Sequence, residues 1–265
     1  MPFSTISFHE PEPGIGLMTL RRPERLNALN LGMLEDFHRL FDTLREGSSV
    51  RVLIVTGAGR GFCAGADLRD ESLEKGDPAL FANAAAHLIS IQKKYADRVL
   101  EMRRLPQPII AAVNGPAAGG GMCLALASDV ILANETASFT PSFINIGLSG
   151  GEMGTSYFLP RAVGMPRAAE ILLTGRTVGA AEAERIGLIN RLAPGDTLLE
   201  AAMETGRRML AKSPVGLRLT KEALNANMDA PSLEAAIELE NRNQSICCFT
   251  PEFLEAVMAF RNRGT

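Results

Sequence analysis

Two glycine-rich segments are where this chain could do chemistry: GRGFCAGADL over residues 59–68 and NGPAAGGGMC over 114–123. Each follows a short apolar run, VLIVT over 52–56 and PIIAAV over 108–113. Residues this small let a ligand approach the backbone closely. In the second segment three glycines precede a predicted helix, whose first amides lack partners and carry a positive partial charge. Amides from both segments could hold an oxyanion from two sides. The competing reading is that the glycines only permit tight packing, and either segment alone favours it.

Other short patterns lead nowhere. Gly59, Gly61 and Ala64 imitate a dinucleotide-binding fingerprint, but the residues after them read as loop where that motif needs a helix. GLSGG over 147–151 imitates a nucleophile elbow, whose histidine must follow the serine. His9, His38 and His87 all precede Ser149, which reads as a turn residue. No zinc-protease helix motif, phosphate-binding loop or clustered His/Cys set occurs, so no metal is expected.

The elements that must position these loops alternate up to about residue 200. Strands are predicted at 16–20, 52–56, 108–113 and 130–133, and helices at 31–45, 79–104, 121–127, 154–163 and 167–173. The first helix shows the spacing plainly, with Leu34, Phe37, Leu40, Phe41 and Leu44 on one face. After Pro194 four helices follow with no strand between them, at 197–210, 214–225, 232–245 and 251–263. The expectation is an α/β core over 1–195 and a helical C-terminal region over 196–265.

The formal net charge of −3 offers no broad positive field for a nucleic acid. Residues 105–128 carry no charge, but Pro106, Pro108 and Pro116 interrupt them, so they read as buried strand and helix and no membrane partner is expected. Cys63, Cys123, Cys247 and Cys248 form no C-x-x-C pair. With no secretory signal in the opening residues, reduced thiols in a cytoplasm are expected.

The order of RLNAL (25–29), GFCAGADL (61–68), NG (114–115), AGGG (118–121) and SD (128–129) resembles the crotonase family of enoyl-CoA hydratases and isomerases. Gly147, LPR (159–161), TGR (174–176) and AEA (181–183) extend the resemblance over nearly the whole chain. It implies a crotonase-like spiral of strand-strand-helix repeats, with two near-perpendicular sheets, then a helical region. It also implies a homotrimer or a dimer of trimers. Its substrate would be an acyl-CoA, with coenzyme A part of the substrate and no prosthetic group. The amides of Ala66 and Gly120 would form the oxyanion hole around the thioester carbonyl.

Departures from the family are informative. Hydratases of this family activate water with two glutamates, and here those positions hold Cys123 and Phe143. Cys123 reads as packing, and Phe143 as a wall of the acyl pocket. Glu152 stands in a turn where several isomerases of the family carry an acid, and a single base can move a proton between two carbons. It also reads as an acid favoured near a helix N-terminus. Arg25 and Arg69 are candidates for the CoA phosphates, or else solvated charges. The backbone around Ala64, Gly65, Asp67 and Leu68 is a candidate for the adenine end. Arg261 and Arg263 are weaker candidates, and His87 and Tyr95 read as packing or surface. Three readings follow: an isomerase using Glu152, an atypical hydratase using Glu152 alone, and an acyl-CoA-binding protein without catalysis.

Overall fold

Short apolar runs pair side by side where both faces of the resulting sheet can be covered. The computed structural model describes residues 3–70 and 84–262. Its strands are β1 (Ile6–Glu12), β2 (Ile15–Leu20), β3 (Val52–Gly57), β4 (Ile109–Val113), β5 (Pro116–Ala118), β6 (Val130–Ala133), β7 (Ser138–Thr140), β8 (Val178–Gly179) and β9 (Arg191–Leu192). Six of them form one sheet in the order β1-β2-β3-β4-β6-β9, parallel except for the β1–β2 hairpin. The other three form a small second sheet, β5-β7-β8. The mixed α/β architecture with two sheets and a helical end is the one expected.

The helices are α1 (Leu31–Glu46), α2 (Ala84–Arg104), α3 (Gly120–Ala127), α4 (Thr155–Val163), α5 (Met165–Thr174), α6 (Ala180–Arg185), α7 (Leu198–Leu210), α8 (Pro214–Asn227), α9 (Leu233–Cys247) and α10 (Pro251–Asn262). The predicted start of the second helix, residues 79–83, lies outside the described residues. Alternate residues of β3 and β4 point to opposite faces. Leu53, Val55, Ile109, Ala111 and Val113 join the main core with α1, α2 and α3. Val52, Ile54, Ile110 and Ala112 meet Leu198, Ala202 and Met203 of α7. So the first helix of the C-terminal region closes the second face of the large sheet.

Six elements went unread in the sequence: β1, β5, β7, β8, β9 and α6. All but β1 are six residues or shorter. β5 is proline and alanine, types depleted in strands. It pairs because β7 lies beside it, with Ala117 opposite Phe139. The uncharged stretch 105–128 is β4, β5 and α3, and no helix among the described residues is long and apolar enough to cross a membrane.

One buried ion pair fastens α8 to the core. Lys221 Nζ donates to Asp129 Oδ2 at 2.8 Å and to the carbonyls of Gln107 (2.8 Å) and Met102 (3.3 Å). Asp129 also accepts Arg103 at 3.0 Å and the Ile109 amide at 2.8 Å. Burial pushes the Lys221 ammonium below its usual pKa, against the pull of Asp129. Removing one partner of such a pair leaves the other charge buried and uncompensated. Asp129→Ala is therefore expected to cost about 3 kcal/mol, read as a lower denaturant midpoint with an unchanged slope.

Candidate functional site

The two glycine-rich loops lie against each other. Cys63 bridges Ala117, with Cys63 N–H donating to Pro116 O at 3.1 Å and Ala118 N–H to Cys63 O at 2.9 Å. A Cβ placed on Gly65, whose φ is +88°, would stand 2.8 Å from Ala118 O and 3.1 Å from Gly120 N. Glycine fits there both for that left-handed backbone and for the close approach.

Ala66 is presented by its neighbours. Leu29 N–H donates to Gly65 O at 2.7 Å, and Asp67 N–H donates to Leu29 O at 2.8 Å. Along an extended segment successive peptide groups point to opposite sides. The Ala66 amide therefore turns away from Leu29, and the residue is exposed. Gly120 opens α3, where the first amides have no helical acceptor. Among the described residues neither amide donates a turn, loop or cap hydrogen bond. Gly119 N–H is taken by Thr140 O at 2.9 Å, which holds the turn.

The walls are largely apolar. A Cβ on Gly119 would stand 3.5 Å from the Phe143 ring, and one on Gly120 would stand 2.9 Å from Leu29 Cδ1 and 3.3 Å from Met153 Sδ. Phe143 and Met153 are buried. Cys123 sits in α3 behind the turn, its thiol donating to Gly119 O at 3.2 Å and to Glu152 O at 3.5 Å. Burial, with Glu152 and Cys63 nearby, pushes the Cys123 thiol well above its ordinary pKa, so it is a protonated packing group.

Glu152 is half-buried, with its carboxylate accepting the Met153 amide at 3.0 Å and the side-chain amide of Gln92 on α2. Burial raises its pKa above the ordinary carboxylate value, while the Met153 hydrogen bond works the other way. Thr155 fixes the backbone, accepting Glu152 N–H at 3.0 Å and donating to Glu152 O at 2.9 Å. Glu152 and Met153 stand side by side in a glycine-flanked turn, and Met153 carries a φ of +44°. That conformation is unfavourable for a non-glycine residue and holds only because its surroundings dictate it.

The remaining candidates separate by exposure. Asp67 is buried, and its carboxylate accepts Arg22 at 2.7 Å and the Arg69 amide at 3.1 Å. The Arg22 and Arg25 charges and these hydrogen bonds outweigh its burial and hold its pKa low. Ala64 donates its amide to Leu26 O at 3.0 Å, and Gly65 is buried. Arg25, Leu68 and Arg69 are exposed on the same loop cluster. Tyr95 is buried with its hydroxyl on Leu29 O, and His87 is half-exposed. Arg261 closes α10, and Arg263 lies outside the described residues. Arg22, Gln92 and Met153 were not singled out from the sequence. Nothing in their types or spacing marks them, because each acts through a partner between 33 and 60 positions away.

The profile of the enoyl-CoA hydratase/isomerase family matches residues 10–265. A probable enoyl-CoA hydratase of Mycobacterium tuberculosis is 43% identical over 257 residues, covering 97% of this chain and 90% of that protein. The structure of a probable enoyl-CoA hydratase/isomerase from Mycobacterium abscessus superposes with a TM-score of 0.87 at 38% identity, covering 98% of this chain and 97% of that one. A monofunctional enoyl-CoA isomerase from Mycobacterium smegmatis gives a TM-score of 0.72 at 42% identity, over 88% of this chain and 98% of that one.

The thiols give a direct check of the site. Cys63 and Cys123 are buried, Cys247 is half-buried and Cys248 exposed. Burial pushes the Cys63 thiol up to about 12. Since the thiolate is the reactive form, alkylation of the native protein at mildly alkaline pH should leave Cys63 and Cys123 unmodified. Peptide mapping would find all four modified only after denaturation. Rapid native labelling of Cys123 would show it to be more acidic and more open than this geometry allows.

Proposed function

The chain belongs to the enoyl-CoA hydratase/isomerase family, and from that footing we propose that it moves the double bond of an enoyl-CoA thioester, with Glu152 as the proton carrier. It is an enzyme of the hydratase/isomerase class, and acyl-CoA processing is common ground. The finer reading rests on one observation. Among the described residues the amides of Ala66 and Gly120 donate no turn, loop or cap hydrogen bond, and the Glu152 carboxylate stands next to Met153, whose sulfur borders Gly120; the two positions that carry glutamates in hydratases hold a buried thiol and a phenyl ring.

In this reading the Glu152 carboxylate takes a proton from the carbon next to the thioester. The electron pair moves into the carbonyl, and the amides of Ala66 and Gly120 hold the oxygen of the resulting enolate. Glu152 then returns the proton two carbons further along, and the double bond shifts by one position. No water is consumed. Coenzyme A arrives as part of the substrate, with Arg25 and Arg69 beside its phosphates and the Ala64–Leu68 backbone beside its adenine. No prosthetic group takes part. Buried free thiols suit a reducing compartment, so the proposed setting is the cytoplasm.

Two variants test the chemistry. Gly120 is the first residue of α3, where proline costs no helical hydrogen bond, although its Cβ would press on Leu29 Cδ1 and strain the turn. Gly120→Pro deletes one proposed donor and is expected to lower kcat by at least about 10² in a folded protein. Glu152→Gln keeps the shape and removes the acceptor. It should abolish exchange of the substrate's α-proton in deuterated water while leaving acyl-CoA affinity nearly unchanged. The wild-type rate should fall as pH drops through the raised Glu152 pKa, because the protonated form cannot accept a proton. A Glu152→Gln enzyme with full turnover would leave acyl-CoA binding without Glu152 catalysis as the better account.

The proposed assembly is a homotrimer or a dimer of trimers. Residues 196–265 supply its contacts, apart from α7, which is committed to its own sheet. α10 buries no residue, and Phe249 and Phe260 are 87% and 80% exposed in the single chain. Sedimentation should give three or six times the 28.4 kDa chain mass. A stable monomer at micromolar concentration would count against it.

A further inference from the structure

Glu152 is pinned at its backbone and, separately, at its side chain. Thr155 Oγ1 accepts the Glu152 amide at 3.0 Å and donates to Glu152 O at 2.9 Å, and the Cys123 thiol donates to the same carbonyl at 3.5 Å. The carboxylate is held unevenly. Its Oε1 accepts both the Met153 amide, at 3.0 Å, and the side-chain amide of Gln92. Among the described residues no hydrogen bond reaches its Oε2.

Gln92 comes from α2. Three residues further on, Tyr95 lies on the same side of that helix. Its hydroxyl donates to Leu29 O at 3.3 Å, the carbonyl that also accepts the Asp67 amide at 2.8 Å. So α2 meets the loop that carries the Ala66 amide through Tyr95, and the carboxylate through Gln92. A helix keeps two such contacts at a fixed spacing, about 4.5 Å of rise for three residues. A glutamate left to itself samples many rotamers and has no fixed aim.

We infer that Gln92 is a positioning residue for the proton transfer: it anchors Oε1 of Glu152 to α2 and leaves Oε2 as the oxygen that carries the proton. The inference rests on the Glu152 reading above and adds which oxygen acts and what aims it. An ionised carboxylate only accepts hydrogen bonds, so Gln92 presents its Nε2–H. Turning the carboxylate over would break both bonds on Oε1, so the oxygen that takes the proton also returns it. In the first step a C–H bond of the α-carbon breaks, Oε2–H forms, and the electron pair moves to the thioester oxygen. In the second, Oε2–H breaks and a C–H bond forms two carbons along. Gln92 neither gains nor loses a proton.

The experiment follows conversion of 3-hexenoyl-CoA to its 2-enoyl isomer across a range of pH. Gln92 is exposed and methionine is a good helix former, so Gln92→Met should fold as the wild type does; Gln92→Ala replaces it otherwise. With the donor gone, kcat should fall about tenfold, the loss expected of one hydrogen bond to a charged group, and KM should stay nearly unchanged. The acid limb of the kcat profile should move to higher pH, because a carboxylate without that donor holds its proton more tightly. Cys123, its titratable neighbour on α3, stays protonated. Gln92→Lys restores a donor, and should recover most of kcat and return the limb to its wild-type place or below. A wild-type kcat and pH profile in Gln92→Met, or a loss that Gln92→Lys does not reverse, overturns the inference alone, provided that Glu152→Gln abolishes α-proton exchange. Full exchange in Glu152→Gln, or a wild type that leaves 3-hexenoyl-CoA unchanged, overturns the Glu152 reading, and the inference falls with it.

Discussion

Everything at the site depends on two backbones lying closer than side chains would permit. A Cβ on Gly121 would fall 2.0 Å from Cys63 O, and one on Gly65 would fall 2.8 Å from Ala118 O. Backbone cannot step aside as the end of a flexible side chain can. Any other residue at Gly121 would force the 63–66 segment off the start of α3. The amides of Ala66 and Gly120 come from different loops, and this contact is what brings those loops together. Their donors belong to the main chain, so their direction is set by the fold.

Holding two loops in that embrace raises an accounting problem, because irregular backbone leaves polar groups without ladder partners. Two asparagines answer it. Asn114 accepts Gly57 N–H at 3.1 Å and donates to the carbonyls of Gly57 and Gly59, both at 2.9 Å. Asn27 is wholly buried at a φ of +56°, donates to Ala58 O and Gly61 O, each at 2.9 Å, and accepts Arg22 N–H at 2.9 Å. The side chain of Arg22 then reaches Asp67, beyond Ala66 on the same loop. The residues that gave the sequence its resemblance to a family are thus in large part the fasteners of the two loops.

This division explains what was legible. β2, β3, β4 and α1 could be read because periodicity is local, and burial on both faces writes itself as an unbroken apolar run. The glycine segments could be read because a missing side chain is visible in composition. The two-residue strands β8 and β9 could not, since β8 exists only because Phe139 lies opposite Val178, and β9 because Leu132 lies opposite Arg191. The partners of the site were hidden for the same reason. Nothing in the surroundings of Gln92 announces that its amide will meet Glu152, and nothing near Met153 announces Gly120. The backbone at Asp67 reads as part of a ligand-facing loop, and what the sequence does not announce is that its carboxylate turns inward to Arg22.

The electrostatics of the site bear on why one carboxylate would suffice. Two carboxylates close together raise each other's pKa, and a water between them needs both an acceptor and a donor. Here the Cys123 thiol is bound to Gly119 O and held protonated by burial, so it cannot take a proton. The Phe143 ring against Gly119 offers a water no hydrogen bond at all. Glu152 meets a different environment: partial burial lifts its pKa, and the Met153 amide opposes the lift. A base whose pKa moves from the ordinary carboxylate value toward the working pH binds a proton strongly enough to remove it and releases it readily enough to return it. Carrying one proton between two carbons asks for that balance and for a dry wall beside it. Adding water across a double bond would ask for a second polar group, and the side chain against Gly119 is the phenyl ring of Phe143.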